Sequence, residues 1–350
     1  MANPRDPRLL VKDLGGLALY YPGAWVVNRL PRRALGAAAR VGASVVRRMD
    51  LHDPAVAREE LRLLFGARQL PASEEVILKE ALRLAMFNEL EVLRYPWLDP
   101  ATIGEVCEVE GREHLDAALA RGRGAIILIG HFGANQMIMP ALGHAGYPMS
   151  QLSAPPTVWA DLLRETRTTP LWERVLARRW ELEQRLPVRH INVFKFLRPA
   201  YECLENNQVL GLAFDGGGGT RWTKVKLLER VANVSTQPAQ LWRATGAALL
   251  PTVVVRQTGS PRHRVILEPP LTWREAGLRE EALRLNMQAF VDRFGAWVAR
   301  YPDHYLHFLL MRRRVRGTDV VPFFDDYPPA EGGLGREEAA RRLKEAGERS

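Results

Sequence analysis

Apolar residues repeat at helical spacing in the first hundred residues and gather into short unbroken runs afterwards. Residues 53–66 and 72–94 predict two amphipathic helices, with Asp53-Pro54 and Ser73-Glu74-Glu75 as their start signals. Mainly apolar runs predict strands at 106–109, 125–129, 209–214, 249–255 and 265–267, with helical patterns between them and over 280–299. Such strands, separated by helices, indicate an α/β fold with a mainly parallel sheet covered by helices.

Basic and aromatic residues mark the beginning of the chain. The net charge is +9, and residues 1–50 contribute nine basic and three acidic side chains, or +6. The apolar stretch 14–27 is interrupted by Pro22 and is short for a helix that spans a bilayer. Its two tyrosines and Trp25 favour a segment that lies at a membrane interface, although a helix buried against the main domain fits equally well.

Three regions follow from these patterns: a helical, membrane-contacting region (1–98), an α/β domain (99–332) and a charged tail (333–350). The basic excess suits an anionic membrane surface or an acidic carrier protein, and no nucleic-acid-binding pattern accompanies it. Cys107 and Cys203 predict ordinary packing in a reducing compartment, and no metal site is expected because no histidine cluster has ligand spacing. We expect no cleavable signal peptide, since no unbroken apolar stretch precedes a cleavage site.

His131 is the strongest candidate for chemistry. It lies in Gly130-His131-Phe132, directly after the predicted strand 125–129 and before a helical pattern. The carboxyl ends of strands are where sheets of this kind hold their active sites. An imidazole there can take a proton from a hydroxyl near neutral pH. A structural histidine that caps a helix is the alternative.

Several segments, in order, resemble the lysophospholipid acyltransferase superfamily, and within it the late lipid A acyltransferases, the lauroyl and myristoyl transferases. That branch carries a His-x4-Glu/Asp motif after a strand, often with a Gly-His-Phe start. The matching segments lie between residues 100 and 315: Gly130-His131-Phe132, Gly211 to Asp215, Leu227 to Ala239, Thr245 to Arg256, and Tyr301 to Tyr305 with Arg312-Arg313-Arg314.

The resemblance implies that His131 is a general base, which activates an acceptor hydroxyl for attack on an acyl thioester. In the family a carboxylate assists the histidine, but this chain has Gln136 at that place in the motif. A neutral amide can fix a tautomer, yet it cannot offset the charge of an imidazolium. Asp215, at the end of another core strand, is our first candidate to replace it. The alternative is a catalytically weak or inactive relative that binds lipid or acyl carrier.

Basic residues and glycines near these motifs are candidate substrate-binding groups. Arg164 and Arg167 resemble the family's arginine and could hold an acceptor phosphate, or belong to a solvated helix face. Gly216 and Gly217 open a four-glycine run whose N–H groups could approach a phosphate or thioester oxygen. Arg221 and Lys224 could contact an acidic carrier or lipid head groups, or form a charged edge strand. The candidate substrate-binding set is Arg164, Arg167, Gly216, Gly217, Arg221 and Lys224.

The sequence therefore predicts an enzyme, an acyltransferase of lipid biosynthesis with a (lyso)lipid or glycolipid acceptor. Acyl carrier protein or coenzyme A would supply the acyl group as a thioester co-substrate, with no further cofactor. We expect it on the cytoplasmic face of the inner membrane, held peripherally or at the interface. A soluble hydrolase is disfavoured, since no Gly-x-Ser-x-Gly motif occurs. The helix predicted over 172–185, with Glu173, Glu181 and Glu183, is expected to be solvated or membrane-facing.

Overall fold

The computed structural model describes residues 7–48, 54–158, 169–195, 197–256, 260, 262–313 and 321–327. The part before residue 98 is helical: α1 (Pro7–Ala18), a π-helical turn (Leu19–Gly23), α2 (Ala24–Val27), α3 (Arg32–Arg48), α4 (Pro54–Phe65), α5 (Glu74–Val92) and a 3-10 turn (Tyr95–Trp97). Helices α4 and α5 confirm the two predicted helices. Helix α5 begins after Ser73, whose hydroxyl accepts from the Val76 N–H at 3.4 Å.

Strands and helices alternate in the rest of the chain, as predicted. The strands are β1 (Cys107–Glu110), β2 (Ala125–Ile129), β3 (Met149–Ser153), β4 (Arg189–Asn192), β5 (Val209–Ala213), β6 (Trp222–Leu227), β7 (Arg230–Ser235), β8 (Ala248–Arg256) and β9 (His263–Leu267). The helices are α6 (Ile103–Val106), α7 (Arg112–Leu119), α8 (Ile138–Gly143), α9 (Pro170–Glu183), α10 (Arg198–Glu205), α11 (Gln237–Thr245), α12 (Arg279–Arg300) and α13 (Asp303–Arg313), with a 3-10 turn (Asn135–Met137) before α8.

Within the described residues, seven strands form one sheet in the order β1-β9-β8-β2-β5-β3-β4. Neighbouring strands are parallel except β8 and β9, which are antiparallel. The mainly parallel α/β fold is therefore confirmed. Strands β6 and β7 form a separate antiparallel hairpin. Strand β6 fits the alternative of a charged edge strand at Arg221 and Lys224, whereas strands β7, β3 and β4 were not predicted.

Two hydrophobic clusters cover the two faces of the sheet. Alternate residues of β2 belong to different clusters: Ile126 and Leu128 to one, Ile127 and Ile129 to the other. This follows from the period of two in a strand, and it explains why β2 is apolar throughout. Helices α12 and α13 pack on the first face and α7 and α8 on the second. Cys107 and Cys203 are buried, free thiols, in agreement with a packing role.

The N-terminal helices α1 to α3 expose large apolar side chains. The set is Leu10, Val11, Leu14, Tyr21, Trp25, Val26, Val41 and Val45. Arg29 lies over the ring of Trp25, with 3.7 Å from its guanidinium carbon to the ring centroid. Among the described residues, no helix has the length and apolar character that crossing a membrane requires.

Candidate functional site

The backbone of the loop after β2 fixes the position of His131. A side chain at Gly130 would overlap the ring of Phe294, so only glycine fits between the strand and helix α12. Gly133 has φ +61°, and its N–H donates to the carbonyl of His304 at 2.8 Å. The side-chain amide of Asn88, on α5, donates to the Gly133 carbonyl at 2.8 Å. Contacts from helices α5, α12 and α13 thus hold the loop of His131 at the carboxyl edge of the sheet.

Asp215 lies beside His131 because β2 and β5 are parallel neighbours. Ile129 is in register with Ala213, and His131 and Asp215 each follow two residues later. Oδ1 of Asp215 is 2.6 Å from Nδ1 of His131, and Oδ2 accepts the His131 main-chain N–H at 2.9 Å. The carboxylate is 1% exposed. The structure therefore brings together two of the three predicted catalytic residues.

Helix α13 completes this arrangement with two residues that sequence reasoning missed. The hydroxyl of Tyr305 donates to Oδ2 of Asp215 at 2.9 Å. Burial, and then the charge of Asp215, raises the pKa of Tyr305, so its hydroxyl keeps its proton. The ring of Phe308 stacks on His131, with centroids 4.5 Å apart and planes 2° apart. Tyr305 belongs to the closing segment of the family resemblance, which gave it no role, and Phe308 had only its i, i+3 spacing from Tyr305 as a signal.

These contacts determine the tautomer of His131. A carboxylate accepts hydrogen bonds only, so Nδ1 carries the proton that lies between it and Asp215. The lone pair is then on Nε2, on a side chain that is 37% exposed. Such an imidazole can take a proton from a hydroxyl, and Asp215 lies where it stabilises the imidazolium that forms. The site has the parts of a general base with an orienting carboxylate.

Gln136 lies elsewhere, in a buried polar network. Its amide donates to Glu183 at 3.0 Å, and its carbonyl oxygen accepts from Arg179 at 3.1 Å. Its described hydrogen-bond partners are thus on α9 and in the 3-10 turn Tyr95–Trp97, where the Tyr95 hydroxyl donates to the Gln136 carbonyl oxygen at 3.4 Å. The expected place of Gln136 beside His131 is not what the structure has. Glu183 is itself buried, with its pKa raised by burial. The expectation that Glu183 belongs to a solvated or membrane-facing surface is wrong, because the ion pair with Arg179, at 2.9 Å, allows its burial.

Some of the candidate substrate-binding residues lie close to His131 and Asp215. Gly216 and Gly217 directly follow Asp215 and are partly buried. Arg221 is exposed just before β6, and the ammonium of Lys224 is 2.7 Å from a carboxylate oxygen of Asp325. Arg164 and Arg167 lie outside the described residues.

Arg312, on α13, is a further residue that sequence reasoning did not assign to the site. Its guanidinium packs against Gly217, where an added Cβ would overlap Nη1. Burial lowers its pKa, and the charge of Asp215 acts in the opposite direction. The neighbouring Arg313 is paired with Glu59 and Glu60, at 2.7 Å each. The two arginines therefore have different surroundings.

Comparison with known proteins identifies acyltransferases among proteins similar to this chain. The family described as "Bacterial lipid A biosynthesis acyltransferase" matches residues 3–314. A phosphatidylinositol mannoside acyltransferase of Mycobacterium tuberculosis (strain ATCC 25618 / H37Rv) is 26% identical over 255 residues, which cover 71% of this chain and 75% of that protein. One of Mycolicibacterium smegmatis is 25% identical over 297 residues, covering 83% of this chain and 88% of that protein.

Proposed function

Because the chain belongs to the bacterial lipid A biosynthesis acyltransferase family and is an acyltransferase, we propose that His131 is its general base. The contact with Asp215 carries the proposal. His131 Nε2 would take the proton of an acceptor hydroxyl as the oxygen attacks the thioester carbonyl, and would return it to the departing thiolate. The alternative of an inactive binding protein rested on Gln136, and it loses that basis because Asp215 supplies a carboxylate.

We propose a glycolipid as the acceptor. The two mycobacterial relatives are named for acyl transfer to phosphatidylinositol mannosides. Their names support a sugar hydroxyl as the nucleophile, while the family name points to another sugar-bearing lipid. The finer assignment to the lauroyl and myristoyl transferases stays a prediction, as does the choice between acyl carrier protein and coenzyme A as donor.

We further propose that α1 to α3 hold the protein on the cytoplasmic face of the inner membrane. Exposed apolar side chains on these helices, such as Trp25 and Val41, are accompanied by the exposed Arg33, Arg40 and Arg47. Apolar side chains that enter the interface and cations that attract anionic head groups are the two components of peripheral binding. A donor or acceptor with a lipid chain would then be within reach of the enzyme.

The test is acyl transfer by the purified protein. Acyl-coenzyme A or acyl carrier protein would be offered with a panel of glycolipid acceptors in mixed micelles, and products would be identified by mass spectrometry. His131→Ala should lower turnover at least about a hundredfold, since general-base catalysis contributes at least that much. His144→Ala, at a partly exposed histidine after α8, is the matched control. Turnover in His131→Ala above a tenth of wild type contradicts the proposed role.

A further inference from the structure

Arg312 is a buried cation with unsatisfied hydrogen-bond donors. Its side chain is 3% exposed, yet among the described residues neither Nε nor Nη1 has a hydrogen-bond partner. A guanidinium carries five N–H donors, and a buried cation is normally paired because desolvation is costly. Arg313, with its two ion pairs, follows that rule. The unmet donors of Arg312 therefore point to a function rather than to packing.

The position of Arg312 follows from one face of helix α13. Tyr305, Phe308 and Arg312 are spaced i, i+3 and i+7, so they lie on the same side of the helix. Tyr305 binds Asp215, Phe308 stacks on His131, and Arg312 packs against Gly217. One helical turn, about 6 Å, separates Phe308 from Arg312 along the axis. The cation is thus within about one turn of the ring that contacts the proposed base.

Asp215 does not accept a hydrogen bond from the guanidinium of Arg312. Its two oxygens accept from Nδ1 and the main-chain N–H of His131 and from the hydroxyl of Tyr305. Within the described part of the chain, no hydrogen bond or ion pair joins Arg312 to Asp215. The carboxylate already has the imidazolium of the transition state as its partner. Among the described residues no carboxylate pairs with Arg312, whose guanidinium carbon lies 5.7 Å from the ring centroid of Phe323.

We propose that Arg312 stabilises the oxyanion that forms on the thioester carbonyl, an inference that rests on the proposed acyl transfer. The acceptor oxygen forms a bond to the carbonyl carbon, and the π electron pair moves to the carbonyl oxygen. His131 takes the hydroxyl proton at the same time. When the oxyanion collapses, the carbon–sulfur bond breaks, and the thiolate receives the proton from His131 as thiol. Two charges thus develop, and each meets an opposite one: Asp215 for the imidazolium and Arg312 for the oxyanion.

The test separates kcat from KM in Arg312→Gln, Arg312→Lys and Arg313→Gln. Loss of one oxyanion donor typically lowers kcat about 10²- to 10³-fold. We expect this loss in Arg312→Gln, with KM for donor and acceptor changed by less than about threefold, since the oxyanion exists only after attack. Arg312→Lys should keep more of kcat, because it retains the charge without the fork. Arg313→Gln should lower thermal stability but leave kcat within about threefold, as expected for a structural ion pair.

A loss of kcat below about threefold in folded Arg312→Gln, or a loss confined to KM, overturns the proposal. If Arg312→Gln does not unfold cooperatively, Arg312→Lys takes its place: kcat equal to wild type overturns the proposal, and a reduced kcat at unchanged KM supports it. The proposed function fails separately, when the wild type acylates no acceptor, and the inference falls with it.

Discussion

Replacing Asp215 by asparagine should stop the reaction through a change of tautomer. Among the described residues, Oδ2 of Asp215 accepts from two donors, the His131 N–H and the Tyr305 hydroxyl, while Oδ1 has the His131 ring nitrogen alone as its partner. An asparagine would place its carbonyl oxygen at the position with two donors. Its NH2 group would then face Nδ1, which must give up its proton to accept that hydrogen bond. The ring proton would move to Nε2, the atom that has to act as the base.

The size of the effect follows from comparable triads. An aspartate-to-asparagine change beside a catalytic histidine lowers kcat by about 10⁴, or about 5.4 kcal/mol at 1.36 kcal/mol per tenfold. We expect a loss of this order in Asp215→Asn. The buried carboxylate also loses charge-assisted hydrogen bonds, so the free energy of unfolding should fall by about 1–3 kcal/mol. The protein should remain folded, because a loss of this size is smaller than the usual free energy of unfolding, about 5–15 kcal/mol.

The assay follows thiol release from the acyl thioester together with the acylated product. Asp116→Asn is the matched control, since Asp116 accepts a hydrogen bond from Tyr147 at 2.5 Å on α7 and lies outside the proposed machinery. Wild-type activity in Asp116→Asn and loss in Asp215→Asn support the tautomer argument. An Asp215→Asn protein that unfolds cooperatively and keeps more than a tenth of the wild-type kcat refutes it.

Three further outcomes are expected. Gln136→Glu should give no gain in turnover and a lower melting temperature, because it puts a second carboxylate beside Glu183, whose pKa burial already raises; a tenfold gain contradicts this. Burial lowers the pKa of His263 to about 4. Below about pH 6.5 the unfolded chain therefore binds more protons than the folded chain, and the free energy of unfolding should fall by up to about 1.4 kcal/mol per pH unit as the pH is lowered to about 4. In urea titrations of His263→Gln, the free energy of unfolding should depend less steeply on pH than in the wild type. An equal slope contradicts this. Trp25→Ser should weaken co-sedimentation of the protein with anionic vesicles, and added salt should weaken that of the wild type. Trp97→Ser, at an equally exposed tryptophan, should leave co-sedimentation unchanged. An equal loss in the two variants contradicts this.

The apolar strands at the centre of the sheet, β2, β5 and β8, could be predicted from the sequence. Strand β3 is also inside the sheet and mostly buried, but it was missed because three of its five residues are polar. Strand β2 is buried at every position and reads as an unbroken apolar run, so its predicted bounds, 125–129, are those observed. The edge strand β4 has mixed burial and no such run, and it was missed. Hydrophobic patterning reports burial, and it becomes weak where a strand is short or only half covered.

The hairpin β6–β7 shows a second limit. Two-residue hairpin turns usually carry Asn-Gly or a similar pair, which tolerates positive φ. Here the turn is Leu228-Glu229, and Leu228 has φ +51°. Tertiary contacts hold it in place: the Glu229 N–H donates to the Leu64 carbonyl at 3.1 Å, and the Glu229 carboxylate is 2.7 Å from Arg68. Contacts between residues so distant in the chain leave no local signal.

The site itself could be predicted only in part. His131 and Asp215 were identified as residues at the ends of core strands, but their contact depends on β2 and β5 being neighbours, which spacing does not specify. Gln136 occupies the family's motif position in sequence, yet the turn at Gly133 and the 3-10 turn after it direct its side chain to Glu183. Motif spacing identified the histidine, and the sheet order determined its partner.

A double-mutant cycle on His131 and Asp215 is the most direct test of the central claim, that the two side chains act as one unit in acyl transfer. The four proteins are wild type, His131→Ala, Asp215→Asn and the double variant, each compared by kcat for product formation. Residues that act as a unit are strongly non-additive, so the double variant should be no slower than His131→Ala alone. A double variant whose loss equals the product of the two single losses would show that the residues act independently, and it would contradict the account.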